Sequence, residues 1–190
     1  MSEFQPLPNK KYDIIYADPP WQYKKTPIQK EKKIEIEQMK HYDTVDEDIL
    51  KQLPVCDIAK EDCILFVWVV SPKLKECMGV IDAWDCFKFI TVGFVWEKQN
   101  PTFGNYTLPS CEMCLIYKKG KIPLGGVKKY ERQFLHEKKT RHSTKPKEIR
   151  ARIDRMFPGG DKIELFARQS QQSPLFEDVE TGWDAWGEEA

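Results

Sequence analysis

The sequence predicts one α/β domain, with a mostly parallel sheet covered by helices on both faces. Three observations carry that prediction. The length of 190 residues fits a single domain. A composition of 41% hydrophobic and 32% charged residues suits a soluble chain with a core of its own. Short apolar, β-branched runs alternate with helical patterns, the signature of right-handed strand–helix–strand crossovers.

The elements are taken in chain order. Tyr12 to Ala17 is a short apolar run stopped by Asp18-Pro19-Pro20, which reads as a buried strand ending in a rigid loop. Residues 22 to 43 are polar and Lys-rich and read as a long surface loop. Thr44 to Leu53 predicts a helix capped by Thr44, with Glu47 three residues on and Val45, Ile49, Leu50 and Leu53 on one face. Cys63 to Val70 predicts a buried strand of the parallel type. Ser71-Pro72 opens a helix to about Phe87, with Ser71 as its cap.

Phe89 to Trp96 and Glu112 to Tyr117 are further strands, separated by a loop carrying Pro101, Gly104, Asn105 and Pro109. Lys121 to Ser143 is a basic connection. Pro146 starts a helix whose Ile149, Ile153, Met156 and Phe157 share a face, and Pro158-Gly159-Gly160 stops it. Lys162 to Ala167 is the last clear strand, and residues 169–190 form an acidic tail. No internal repeat or domain linker interrupts this pattern.

Composition excludes some functions and localises others. Thirty basic against thirty acidic residues give no net charge, so bulk charge names no partner. The longest apolar run, Ile64 to Val70, falls far short of the ~20 residues of a membrane span. Met1 to Pro6 has neither a basic nor an apolar region of a secretory signal, so the expectation is a cytoplasmic protein with no membrane partner. The six cysteines are accordingly expected as free, mostly buried thiols. Charge is nonetheless uneven. Lys118 to Arg152 carries thirteen bases against three acids, Lys24 to Lys33 holds a second basic cluster, and Gln169 to Ala190 has six acids and no base. One such run is ordinarily a solvated face, but two beside a candidate site point to a polyanion.

That site is Asp18-Pro19-Pro20-Trp21. Ligands of open α/β sheets bind beyond the carboxyl ends of strands, where this tetrapeptide falls. An exocyclic amine on an aromatic base attacks a methyl sulfonium only if acceptors hold its hydrogens while nitrogen turns tetrahedral. Asp18 offers a carboxylate, Pro19 a carbonyl whose direction the two prolines fix, and Trp21 a face for stacking. Glu164, in an otherwise apolar strand, needs a counter-charge, for which Lys145 or Arg168 is the expected partner.

Tyr16-Ala17-Asp18-Pro19-Pro20-Trp21 resembles the catalytic motif of the adenine-N6 methyltransferases related to the seventy-kilodalton subunit of the messenger-RNA adenosine methyltransferase. Further blocks keep the family's order: Phe66-Val67-Trp68-Val69, Val95-Trp96-Glu97-Lys98, Glu112-Met113-Cys114-Leu115, Ser143-Thr144-Lys145-Pro146, Lys162 to Arg168, and Gly182-Trp183 with Trp186-Gly187. The resemblance implies a Rossmann-like class I methyltransferase using S-adenosylmethionine, with the catalytic motif ahead of the cofactor-binding strand. It assigns Lys145 to the cofactor carboxylate, and Phe166 and Arg168, with Glu164, to the cofactor pocket. The tail is expected to close over that pocket. Two departures stand out. Glu188 occupies the place of the family's ribose-binding Asn, and only seventeen residues precede Asp18, so the contact that longer relatives make near the cofactor adenine with an upstream acidic residue is expected to come from elsewhere or to be missing.

The substrate-side expectations are Tyr23, Tyr42, Asn100 and His142. Cys111 and Cys114 have no second ligand pair and point to opposite faces of a strand, so no metal is expected. The resulting expectation is methylation of adenine N6 in nucleic acid, DNA ahead of RNA, by a bacterial or phage-like member. A homodimer or a specificity-giving partner would complete it. The alternatives are an RNA enzyme and a silent nucleic-acid-binding subunit. A cytosine-N4 enzyme would ordinarily carry Ser in place of Asp18.

Overall fold

The computed structural model describes residues 4–22, 45–99, 106–138, 145–167 and 182–187. Seven strands form one sheet: β1 (Tyr12–Ala17), β2 (Ala59–Val70), β3 (Lys88–Glu97), β4 (Cys111–Lys119), β5 (Phe134–His136), β6 (Lys162–Leu165) and β7 (Trp183–Trp186). Their order across the sheet is β5-β3-β4-β2-β1-β6-β7. The pairs β1–β2, β1–β6, β6–β7 and β3–β5 are parallel, and β4 runs antiparallel to both its neighbours. The expected mostly parallel sheet is therefore present, with one reversed strand.

Alternation along the strands explains the two cores. Ile15, Ala17, Leu65, Val67 and Val69 face one side, where α1 (Glu47–Lys51) and α2 (Leu74–Ala83) supply Leu50, Cys77, Val80 and Ile81. Ile14, Tyr16, Phe66, Trp68 and Phe94 face the other, covered by Ile149 and Ile153 of α3 (Lys147–Met156) and by Phe157. β1 and β2 are buried on both faces and hence read as nearly continuous apolar runs. No helix among the described residues is long and apolar enough to cross a membrane.

Several expectations are corrected. The first helix is capped by Asp46, whose carboxylate accepts from Asp48 N, and Val45 instead pairs with Trp21 in a parallel bridge. Asp46 lies next to the helix and presents a stronger acceptor than Thr44 would from two residues further back. Ser71-Pro72 opens a 3-10 turn, Ser71–Lys73, without a side-chain cap, before α2 begins. β5 and β7 are strands that three- and four-residue segments with little apolar alternation do not announce. Cys56 and Cys86, expected as free thiols, are joined in a disulfide with Cα atoms 6.0 Å apart. Spacing alone could not reveal it, since the partners lie on different turns, one preceding β2 and one preceding β3. Cys63, Cys77 and Cys114 are buried free thiols, and Cys111 is half-buried.

Candidate active site

The chain leaves β1 for β2 on one side and returns to β6 and β7 on the other. β1 therefore sits at the reversal of strand order, where the crevice beyond the strand ends opens. Asp18 lies there, its backbone N–H reaching the Leu165 carbonyl of β6 at 3.4 Å. The two prolines fix the course of the loop after it. Pro19 O accepts Trp21 N–H at 2.9 Å and Pro20 O accepts Val45 N–H at 3.0 Å, so this loop is tied at both carbonyls. One lone pair of Pro19 O remains for a ligand. Trp21 differs from expectation: its ring is 7% exposed, and its indole N–H donates to Trp68 O at 3.1 Å. Its packing in the core holds the loop down, and in this conformation it offers no open face for stacking.

Because β4 is reversed, its first residues meet the last residues of β2 and β3: Glu112 is the register partner of both Val70 and Trp96. This reversal assembles a line of four charges along the carboxyl edge. Lys145 Nζ lies 2.7 Å from Asp18 Oδ2 and 3.3 Å from Glu112 Oε2, and Lys98 Nζ lies 2.9 Å from Glu112 Oε1. All four side chains are only 13–16% exposed. Lys145 Nζ also stands 5.6 Å from the centre of the Trp68 ring, whose N–H is held by Tyr16 OH at 2.6 Å. Burial disfavours the charges of Glu112 and Lys145, but their partners prevail. Glu112 is held below the usual carboxylate range by Lys145 and Lys98, and Lys145 above the usual lysine range by Asp18 and Glu112. Glu112 and Lys98 escaped sequence reasoning, although a lone acid heading an apolar strand is the same signal that marked Glu164.

Glu164 is paired with Arg150 of α3 at 2.8 Å rather than with Lys145, and Arg168 lies outside the described residues. Arg150 lies on the face of α3 one turn beyond Lys147 and also covers the Trp183 ring at 5.2 Å. Burial raises the Glu164 carboxyl above its ordinary value, against the pull of Arg150. Phe166 ends β6 in the left-handed region, φ 62°, a conformation rare for aromatic residues and found where surrounding packing enforces it. It packs edge-on against Phe4 at 5.7 Å and Trp186 at 5.5 Å. Trp186 N–H reaches the carbonyls of Gln5 and Pro6, both at 3.1 Å, so the segment before β1 lies against the end of β7. A Cβ at Gly187 would overlap the Ala167 carbonyl, so this close approach of the two strand ends requires glycine.

The structure thus brings Asp18, Pro19, Lys145, Glu164 and Phe166 to one edge of the sheet. Tyr23, Tyr42, Asn100, His142, Arg168 and Glu188 lie outside the described residues, as does the Lys24–Lys33 cluster. The basic connection is only partly at this edge. Lys118 and Lys119 end β4 at the opposite edge, where Lys119 Nζ binds the carbonyls of Cys56 and Ala59. Lys128 N–H meets Met156 O at the far end of α3, and Arg155 and Arg152 are engaged by Glu131, Glu148 and the Arg132 carbonyl. The chain then climbs through β5 to His136, whose ring binds Glu97 at 2.8 Å near the carboxyl edge. A run of charge in sequence records no direction, and the described part of Lys118 to Arg152 is divided between the two edges of the sheet.

Comparison with known proteins accords with this geometry. The chain is 40% identical to the type II methyltransferase M.MunI of a Mycoplasma species, over 97% of this chain and 80% of the relative. It is 26% identical to the mouse N(6)-adenine-specific methyltransferase METTL4 over its whole length, spanning 40% of that protein. It is 26% identical to the human N(6)-adenosine-methyltransferase catalytic subunit METTL3 over 86% of the chain and 27% of the relative. The MT-A70 family model matches residues 12–189, and the chain belongs to that family.

Proposed function

We propose that this protein transfers a methyl group from S-adenosylmethionine to the N6 amine of adenine in nucleic acid, with DNA as the preferred substrate. The observation that carries this reading is the partly buried Asp18–Lys145 pair at the reversal point of the sheet, next to a carbonyl held by two prolines. Similarity to a type II methyltransferase over most of both chains favours DNA. An RNA substrate is the second reading, favoured by the similarity to METTL3.

The residues present fit the cofactor. Lys145 is a cation suited to a carboxylate, Glu164 an acceptor for an ammonium or hydroxyls, and Phe4, Phe166 and Trp186 form an aromatic wall at the ends of β6 and β7. Gln5 and Pro6, held by Trp186 beside that wall, are proposed to contribute the contact to the cofactor adenine. Arg168 and Glu188 are assigned to the same pocket. S-adenosylmethionine supplies the activated methyl group on a sulfonium.

The chain's own part is positioning. Asp18 Oδ accepts one amine hydrogen and the Pro19 carbonyl the other, which turns the nitrogen lone pair out of conjugation with the ring. Lys145 fixes the carboxylate's rotamer, and after transfer the amine releases its proton to solvent. Tyr23, Tyr42, Asn100 and His142 are proposed to hold the base and its neighbours. The 169–190 tail is proposed to cover the cofactor, within a single domain. A second copy or a partner protein is proposed to supply target specificity.

The test is incubation with isotopically labelled S-adenosylmethionine and adenine-containing DNA or RNA oligomers, followed by digestion to nucleosides. Label in N6-methyldeoxyadenosine supports the reading, and label in N6-methyladenosine moves the substrate to RNA. Label in N4-methylcytosine, or in no nucleoside, refutes it.

A further inference from the structure

Trp21 is buried and bonded to Trp68 O, so the ring expected to stack on a base is not the one that does so in this conformation. Among the described residues, Tyr106, Tyr130, Phe134 and Phe89 are the exposed aromatic side chains, and the last two stand on strands, β5 and β3. Register places both on one face of the sheet. Phe89, Val92 and Val95 pair with Tyr117, Leu115 and Met113, alternate residues of β4, and Val95 pairs with Phe134. Two irregularities in β3, between Phe89 and Thr91 and between Val92 and Phe94, keep its three residues on that side. The opposite side of the same strands is closed, with Phe94, Trp96 and Leu135 buried in the second core. On the Phe134 side burial ends at β4: Leu115 and Tyr117 are buried, but Phe89 is 47% and Phe134 54% exposed. The outer strands therefore have one covered face and one open, aromatic face.

We propose that this open face of β3 and β5 is a platform for single-stranded nucleic acid, on which Phe134 stacks a base flanking the target adenine and Phe89 extends the track. The inference rests on the methyltransferase reading above. Charge selects the partner. Residues 128–138 hold four lysines or arginines and two glutamates, and Glu131 is taken by Arg155 and Lys129. Arg132 and Lys138, on either side of β5, are exposed, as is Lys88 at the start of β3. At the upper end of the strip the Glu97 carboxylate is engaged by the His136 ring. Exposed rings set among cations match a strand that offers bases and phosphates together. Position selects the form of the strand. β3 and β5 both end at the carboxyl edge, where Phe134 lies two residues, ~7 Å, before His136. β5 stands four strand spacings from β1, about 19 Å, a gap that a few unstacked nucleotides bridge. Bases in a duplex keep their faces inside the stack, so the platform takes single strand and not duplex.

The experiment measures, by fluorescence anisotropy, binding of a labelled single-stranded DNA oligomer of about ten nucleotides containing one adenine, with the matching duplex as control. In Phe134→Ala the single-strand affinity is expected to fall about tenfold, a cost typical of one lost base–aromatic contact. Duplex affinity and calorimetric binding of S-adenosylhomocysteine should stay as in the parent. Phe134→Tyr keeps a ring and should restore the affinity, and Phe89→Ala should cost a few-fold. Arg132→Gln should lower the salt dependence by about 0.7 in log–log slope, the share of one phosphate on a single strand. In turnover, Phe134→Ala should raise KM for the oligomer and leave kcat unchanged, because the ring is remote from the reacting amine. Binding needs no methyl transfer, so the two readings fail separately. A parent that binds single strands through Phe134 but labels no nucleoside supports the platform and refutes the methyltransferase reading. A parent that methylates adenine, with single-strand affinity unchanged in both Phe134→Ala and Phe89→Ala, does the reverse. Equal losses on single strand and duplex would also overturn the proposal. So would a parent dimer, seen by sedimentation, that Phe134→Ala splits into monomers, since the face would then be an interface between copies of this chain.

Discussion

Both edges of the sheet carry a line of alternating lysines and carboxylates, and they differ in solvent. At the amino edge Lys60 bridges Asp13 and Asp161, both at 2.7 Å, and Lys10 bridges Asp161 and Asp184 at 3.1 and 2.9 Å. Apart from Asp13, those side chains are 36–47% exposed, and Asp161 N–H also serves Asp13 at 2.8 Å. At the carboxyl edge the members are 13–16% exposed, and the line Asp18–Lys145–Glu112–Lys98 neutralises itself. The same ion-pair motif therefore serves two ends. Screened by water, it staples the starts of β1, β6 and β7 and contributes little. Withdrawn from water, each charge depends strongly on its partner, so exchanging partners changes what a carboxylate can do.

The sharpest way to break this comparison is at Asp18. Asp18→Ala removes an acceptor aimed at the reacting amine and should lower the methyl-transfer rate by ~10²–10³, while calorimetry finds cofactor binding nearly intact. Removing any amino-edge carboxylate, such as Asp184→Ala, should leave the rate within twofold of the parent.

The next effect is on stability. Lys145→Met leaves two partly buried carboxylates facing each other and should cost about 3 kcal/mol in urea unfolding. Lys60→Met, at the screened edge, should cost no more than about 1 kcal/mol. The pH dependence at the carboxyl edge follows from the same pairs. Lys145 is held above its ordinary value, so its contribution is complete below that value and is lost as pH rises through the raised one. Glu112 is held below its ordinary value, so its contribution is complete above that value and is lost as pH falls through the depressed one. Unfolding measured across pH should therefore lose the high-pH limb in Lys145→Met and keep part of the low-pH limb, which Lys98 still supports. Equal costs for Lys145→Met and Lys60→Met would remove the distinction between the edges.

The smallest effect concerns nucleic acid. Neutralising Lys138, which follows β5 near the carboxyl edge, should reduce the salt dependence of binding by about 0.9 in log–log slope if it meets one phosphate. Neutralising Lys118 and Lys121 together should leave the slope unchanged, since the end of β4 lies at the opposite edge.

Much of the carboxyl edge was legible in sequence because its signals are local. Asp18-Pro19-Pro20 announces a strand end and a fixed carbonyl, and Glu164 in an apolar strand announces a buried charge seeking a partner. What sequence could not supply was the direction of β4. Only its reversal carries Glu112 to Asp18 and sends Lys118 and Lys119 away. Partner choice was hidden for the same reason, since Arg150 reaches Glu164 through the packing of α3 on the sheet rather than through sequence proximity. Trp21 reads in sequence as a stacking face, and its place in the core emerges only when its indole is seen bonded to Trp68. β5 and β7 are too short to show a period, and each exists because a longer neighbour offers it an edge.

The central claim is that the carboxyl edge, and not its charged counterpart, receives the ligands. The most direct measurement is NMR of the protein titrated with S-adenosylhomocysteine and then with an adenine-containing oligomer. The account predicts that the first addition shifts Lys145, Phe166 and Gly187, that the second shifts Asp18 and Trp21, and that Lys60, Asp161 and Asp184 stay in place. Shifts concentrated on Lys60, Asp161 and Asp184, with Asp18 and Lys145 unmoved, would contradict it.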